Sequence, residues 1–133
     1  MTRLAFATLL LLHGIVHVIG FVVPWQIATF PDFAYTTTAA WRSLELGDAG
    51  VRLVGLVMLA LAVAFPVAAY GVRRRAGWAL PLTGAVALTS LLACVLQSPA
   101  AVLGVVIDLA ILGVVLGAVV ARGGTPRLPH PAR

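Results

Sequence analysis

Four stretches of the chain are apolar almost without interruption: Leu4–Val23, Leu53–Val72, Ala76–Gln97 and Ala100–Ala121. About 20 helical residues, each rising about 1.5 Å, cross the roughly 30 Å of hydrocarbon in a bilayer. The first three stretches contain no charged residue and the fourth contains one, Asp108. Lipid offers backbone groups no partners, so each stretch is expected to be helical. Only Arg73–Arg75 and Ser98–Pro99 separate the last three, which makes those neighbours antiparallel. The pattern therefore predicts an all-α membrane protein, one four-transmembrane-helix antiparallel bundle over residues 1–122. A disordered cytoplasmic tail, 123–133, follows, rich in Gly and Pro. Pro66 and Pro81 fall inside the second and third spans, where a missing N–H is expected to kink a helix.

Composition agrees: 62% of residues are hydrophobic and 10% charged, outside the range of soluble domains. The net charge of +5 comes from arginine alone. These arginines cluster at span ends, which reads as membrane topology and not as a nucleic-acid surface. With four crossings, Arg3, Arg73–Arg75, Arg122, Arg127 and Arg133 share one side. Arg42 and Arg52 share the other with Asp32, Glu45 and Asp48. The positive-inside rule then puts both termini in the cytoplasm of a multi-pass protein of the cytoplasmic membrane. Trp25 and Trp41 mark the outer interface, Tyr70 and Trp78 the inner one. Arg3 before an apolar run also suits a signal peptide, but two histidines inside the run and three further spans favour a retained helix. The outer loop, 24–50, holds Trp25, Phe30, Phe33, Tyr35 and Trp41, too aromatic for a solvated linker. It is expected to lie in the interface or cap the outer mouth, with Thr36–Thr38 opening a short helix through a threonine N-cap.

The polar residues inside the spans carry the candidate chemistry. His13 and His17 are four residues apart and share one side of a helix. Counted from the outer edge, His17 lies roughly 9 Å deep and Asp108 roughly 12 Å. Thr89 and Ser90 fall at a similar depth, so residues of three helices meet in one layer. A carboxyl in lipid should face inward and find a partner. His17 is the expected one, with His13 a turn deeper against a hydroxyl or a backbone carbonyl. The candidate polar site is thus His13, His17, Asp108 and Thr89 or Ser90. It suits a proton path, a metal held by His13, His17 and Asp108, or a hydrogen bond that only fixes packing. Two histidines on one helix face cannot sandwich a haem iron, and His130 is in the tail, so no cofactor is assigned. Cys94 is the only cysteine, which excludes a disulfide and a CxxC redox pair. At the outer mouth, Asp48 and Arg52 are spaced for a local ion pair, unless Arg52 bends inward. Gly113 and Gly117 form a GxxxG, suited to packing within the chain or against a second protomer.

His13, Gly14, His17, Gly20 and Phe21 spell HGxxHxxGF, and Gly47, Asp48, Gly50, Arg52 and Gly55 follow at the head of the second span. With SPAAVLGVVIDLAIL near the end, this resembles a group of small four-helix bacterial inner-membrane proteins, often labelled transporter permeases. The likeness runs from about Leu9 to Leu116, and it extends loosely to DoxX-like membrane proteins. It implies the same four-helix fold but no particular reaction. In that group Asn often stands where this chain has Asp108, which suits hydrogen bonding better than obligatory proton transfer. Two functions follow as expectations. One is a binding or transport component for a proton, a metal or a small amphiphile. The other is a structural or accessory subunit whose polar layer fixes helix packing, with a second copy or a membrane complex as partner. No nucleophile–base pair or cofactor motif points to an enzyme.

Overall fold

The computed structural model of the chain describes residues 3–123. Its elements are α1 (Arg3–Val22), β1 (Thr38–Ala39), β2 (Leu44–Glu45), α2 (Gly47–Arg74), α3 (Ala79–Leu96) and α4 (Val102–Gly123). All four helices are long and apolar enough to cross a membrane. The tail expected to be disordered lies, beyond Gly123, outside the described residues.

The helix ends differ from the apolar windows. α2 begins at Gly47 instead of Leu53 and carries Asp48 in its first turn, where a carboxylate complements the helix dipole. It also runs on through Arg74, into residues expected to be a connection. Arg75 stops it in the left-handed region, at φ 59° and ψ 31°. The Arg75 and Ala76 N–H groups then donate to Val72 and Gly71 at 3.3 and 3.0 Å, covering the last carbonyls. Trp78 folds onto Gly71 so closely that a Cβ there would stand 2.5 Å from its ring. Pro81 lies in the first turn of α3, where its missing N–H has no helical acceptor to lose, so the expected kink has no cause. Pro66 is inside α2, as expected.

Close contacts fix how the helices run. Gly14 faces Phe65 and Pro66, and Gly20 faces Met58, so α1 and α2 are antiparallel. Cys94 faces Gly104, and Gly84 faces Val115, so α3 and α4 are antiparallel as well. α1 packs on α2, α2 on α3 and α3 on α4. No comparable packing joins α1 to α4, and a cleft remains between them. Phe65, Leu10, Met58 and Ile111 fill the middle of the bundle.

The loop between α1 and α2 corrects one expectation. No helix starts at Thr36–Thr38; instead Thr38 pairs with Glu45 and Ala39 with Leu44 in a short hairpin. Thr36 Oγ1 accepts from the Thr38 N–H at 3.2 Å, a local bond that competes with helix formation. Ala40, Trp41 and Arg42 all have positive φ, which no right-handed helix allows. The hairpin tip docks on the end of α3: Ala40 N–H donates to Leu96 at 2.8 Å and Trp41 N–H to Ser98 at 2.9 Å. The loop does cap this end of the bundle.

Candidate functional site

His13, His17, Ser90 and Asp108 come together, all buried. His13 Nε2 lies 2.9 Å from Asp108 Oδ1. Ser90 Oγ lies 2.7 Å from Asp108 Oδ2 and 2.7 Å from His17 Nε2. His17 Nδ1 donates to the His13 carbonyl at 2.7 Å. Side chains of α1, α3 and α4 thus form one hydrogen-bonded chain: His17, Ser90, Asp108, His13. Phe65 of α2 closes the fourth side, its ring centroid 4.9 Å from that of His13 and 5.2 Å from that of His17.

The layer read from the sequence is present, but its pairing is different. Asp108 takes His13 directly and reaches His17 only through Ser90. Depth counting measures position along the axis and ignores direction around it. Four residues turn a helix about 40° past a full revolution, enough for His13 to face α4 while His17 faces α3. The same rotation separates Thr89 from Ser90, which are about 100° apart. Ser90 is inside; Thr89 is exposed and donates to the Ala85 carbonyl of its own helix at 3.0 Å. At the end of the bundle covered by the loop between α1 and α2, Asp48 and Arg52 do not pair with each other. Asp48 accepts a hydrogen bond from the Tyr35 hydroxyl, which pushes Tyr35 above the ordinary tyrosine value. Arg52 neither pairs with Asp48 nor bends inward; it lies over the Trp25 ring at 5.9 Å. Gly113 and Gly117 have nothing within 4 Å of where a Cβ would stand, so packing within the chain does not use them.

With His13 taken as the Nε2–H tautomer, the hydrogen-bond chain sets how many protons it holds. A carbonyl only accepts, so His17 Nδ1 carries a hydrogen. The three contacts from His17 Nε2 to His13 Nε2 need one hydrogen each, and Ser90 supplies one. His13 as the Nε2–H tautomer supplies the second. The third sits either on His17 Nε2 or on Asp108. In the first case an imidazolium faces a carboxylate; in the second every member is neutral. Both arrangements have no net charge, as burial in an apolar bundle favours. Both hold one proton more than a carboxylate with two neutral imidazoles. Moving one hydrogen onto Ser90 Oγ and another off it converts one arrangement into the other.

Both ring nitrogens of His17 are engaged in hydrogen bonds. No group of three or more His, Cys, Asp or Glu among the described residues is placed to hold a metal.

Two residues at the site were not expected from the sequence. Phe65 is one apolar residue among many in its span, and only its place opposite Gly14 marks it. Gln97, in the cap of α3, donates through Nε2 to the Gly20 carbonyl at 3.0 Å, while its buried Oε1 has no partner. A polar residue at a span end reads as an interface residue, so nothing singled it out. Cys94 is buried, its Sγ 3.9 Å from Ser90 Oγ.

The cluster borders open space. His13 and His17 form part of the wall of a cavity of about 430 Å³ in the cleft between α1 and α4, which Phe30–Phe33 of the loop between α1 and α2 covers. A second cavity, about 410 Å³, lies under the hairpin, and Asp32, Phe33, Gln97 and Ala100 line both. Comparison with family models, with curated proteins and with solved structures finds no match to this chain.

Proposed function

We propose that this chain is a binding component of a bacterial cytoplasmic membrane, with both termini inside. It holds an exchangeable proton in the His17–Ser90–Asp108–His13 chain and receives a small amphiphile in the adjoining cleft. One observation carries the reading: the two histidines of a buried hydrogen-bond chain form part of the wall of a cavity large enough for a ligand. Ionisable groups inside a membrane bundle mark functional sites more often than packing alone requires. The likeness to HGxxHxxGF proteins fits the four-helix arrangement and adds no substrate.

The same bonds tie α1, α3 and α4 together, and this favours the second reading, an accessory subunit whose polar layer is structural. Two substitutions separate the readings. Asp108→Asn keeps a donor toward Ser90 and an acceptor toward His13 but removes the exchangeable proton. Asp108→Leu removes the bonds as well. In liposomes, proton-coupled uptake of an amphiphile that is lost in Asp108→Asn, while thermal stability stays near that of the parent, supports a proton-holding binding site. Uptake unaffected by Asp108→Asn contradicts it. A reporter fused after Arg133 that reads cytoplasmic supports the orientation, and a periplasmic signal overturns it.

A further inference from the structure

The atoms facing the cleft restrict what it can bind, given that it is the binding site proposed above. Its walls are mostly apolar, with Val16, Ile19, Leu103 and Ile107 among them. Polar groups are confined to His13, His17, Asp32, Gln97 and the weakly polar Cys94. His17 has both ring nitrogens engaged. His13 gives Nε2 to Asp108, and no hydrogen bond is formed at its Nδ1. In the Nε2–H tautomer that nitrogen is a lone pair, so it accepts. The ring's Cε1, which lies between Nδ1 and Nε2, is 4.0 Å from where a Cβ on Gly104 would stand, and Gly104 is itself part of the wall.

Gln97 adds a second acceptor. Its Nε2 faces the Gly20 carbonyl, which fixes the orientation of the amide and leaves Oε1 as the bare atom. A buried acceptor without a donor is unfavourable, so it calls for a partner that arrives from elsewhere. Asp32, exposed at the rim, is a third acceptor. Asp108 is fully buried and is not part of the cleft wall, and each of its oxygens already accepts from Ser90 or His13. The buried end of the cleft therefore offers acceptors and no free carboxylate.

We infer that the α1–α4 cleft binds a neutral, single-chain amphiphile whose head donates hydrogen bonds, an alcohol or a phenol. The head lies at His13 Nδ1 and the Gln97 amide, and the chain lies along Val16, Leu103 and Ile107. A carbonyl or ether head leaves both of these acceptors bare and meets only the second Gln97 N–H and the weak Cys94 thiol as donors. A cationic head meets only Asp32, at the rim, and loses its hydration inside an apolar cleft.

The test uses the full chain in detergent micelles with ¹⁵N-labelled histidine, titrated with 4-hexylphenol and with its methyl ether, 4-hexylanisole. The expected result is saturable binding of the phenol, with a shift of the His13 Nδ1 resonance, and affinity for the ether weaker by about tenfold, the scale of a lost donor that leaves an acceptor bare. Leu103→Trp fills the cleft from an exposed position, 69% accessible, and is expected to abolish the binding without disturbing the histidine resonances. Equal affinity for phenol and ether, no binding of the phenol, tighter binding of hexylammonium, or binding that survives Leu103→Trp each overturns the inference. The ligand-free spectra judge the underlying reading separately. A cluster that retains its extra proton yet shows no preference for the phenol removes only the ligand class.

Discussion

Ser90 is the residue on which the site depends most. Its one hydroxyl joins His17 to Asp108, at 2.7 Å on each side, and no other group among the described residues bridges them. Ser90→Ala changes the volume little but leaves His17 Nε2 and Asp108 Oδ2 bare in an apolar interior. A loss of about 1–3 kcal/mol in stability is expected, measured by thermal unfolding in detergent. Thr89→Ala, one residue away, is expected to cost well under that, since Thr89 Oγ1 bonds only to the carbonyl of Ala85 in its own helix. Equal effects at the two positions would contradict the assignment of Ser90. His17 and Asp108 were legible as polar residues of similar depth, with His13 a turn deeper, because rise along a helix is a fixed quantity. Which of them touch was not, because facing direction depends on where each neighbouring helix stands.

At the scale of helices, glycines separate packed faces from open ones. Gly14 lets α1 meet α2 at Phe65 and Pro66, where a Cβ would stand 2.7 and 2.9 Å from the nearest carbons. Neither neighbour is the end of a flexible side chain, so Gly14→Ala must push the helices apart, with an expected loss of about 1–3 kcal/mol. Gly113→Ala meets nothing within 4 Å and is expected to leave thermal stability unchanged or slightly raised. The GxxxG spacing in the sequence fits both a packed and an open face, and only the position of α4 against α3 decides between them. The four helices were legible for a simpler reason: apolar stretches of that length have no other way to satisfy their backbone in lipid. The loop hairpin was not, since it rests on three consecutive left-handed residues and on acceptors at the end of α3. Tyr35 ties this loop to α2 through Asp48. Folding raises the tyrosine above its ordinary value of 10.0, chiefly through that hydrogen bond, so the tether is complete below the ordinary value and is lost as pH rises through the raised one. An ultraviolet titration of tyrosinate should show one of the two tyrosines ionising late, and Tyr35→Phe should remove that component.

At the scale of the whole molecule, four helices pack in sequence and leave one seam, between α1 and α4, that side chains cross without the helices closing on each other. The seam brings the polar chain and the cavity to the same place. A bundle closed by apolar packing would have needed neither, and an open seam held by one His–Asp contact suits a molecule that admits a ligand there. The claim beneath all of this is that the cluster is neutral overall and holds one proton more than a carboxylate with two neutral imidazoles. A solid-state NMR spectrum of the protein in bilayers at neutral pH, with ¹⁵N-histidine and ¹³C-aspartate, reads the three groups together. The expected spectrum has His13 protonated at Nε2, with either a protonated carboxyl at Asp108 or an imidazolium at His17. An ionised Asp108 beside two neutral imidazoles would contradict it.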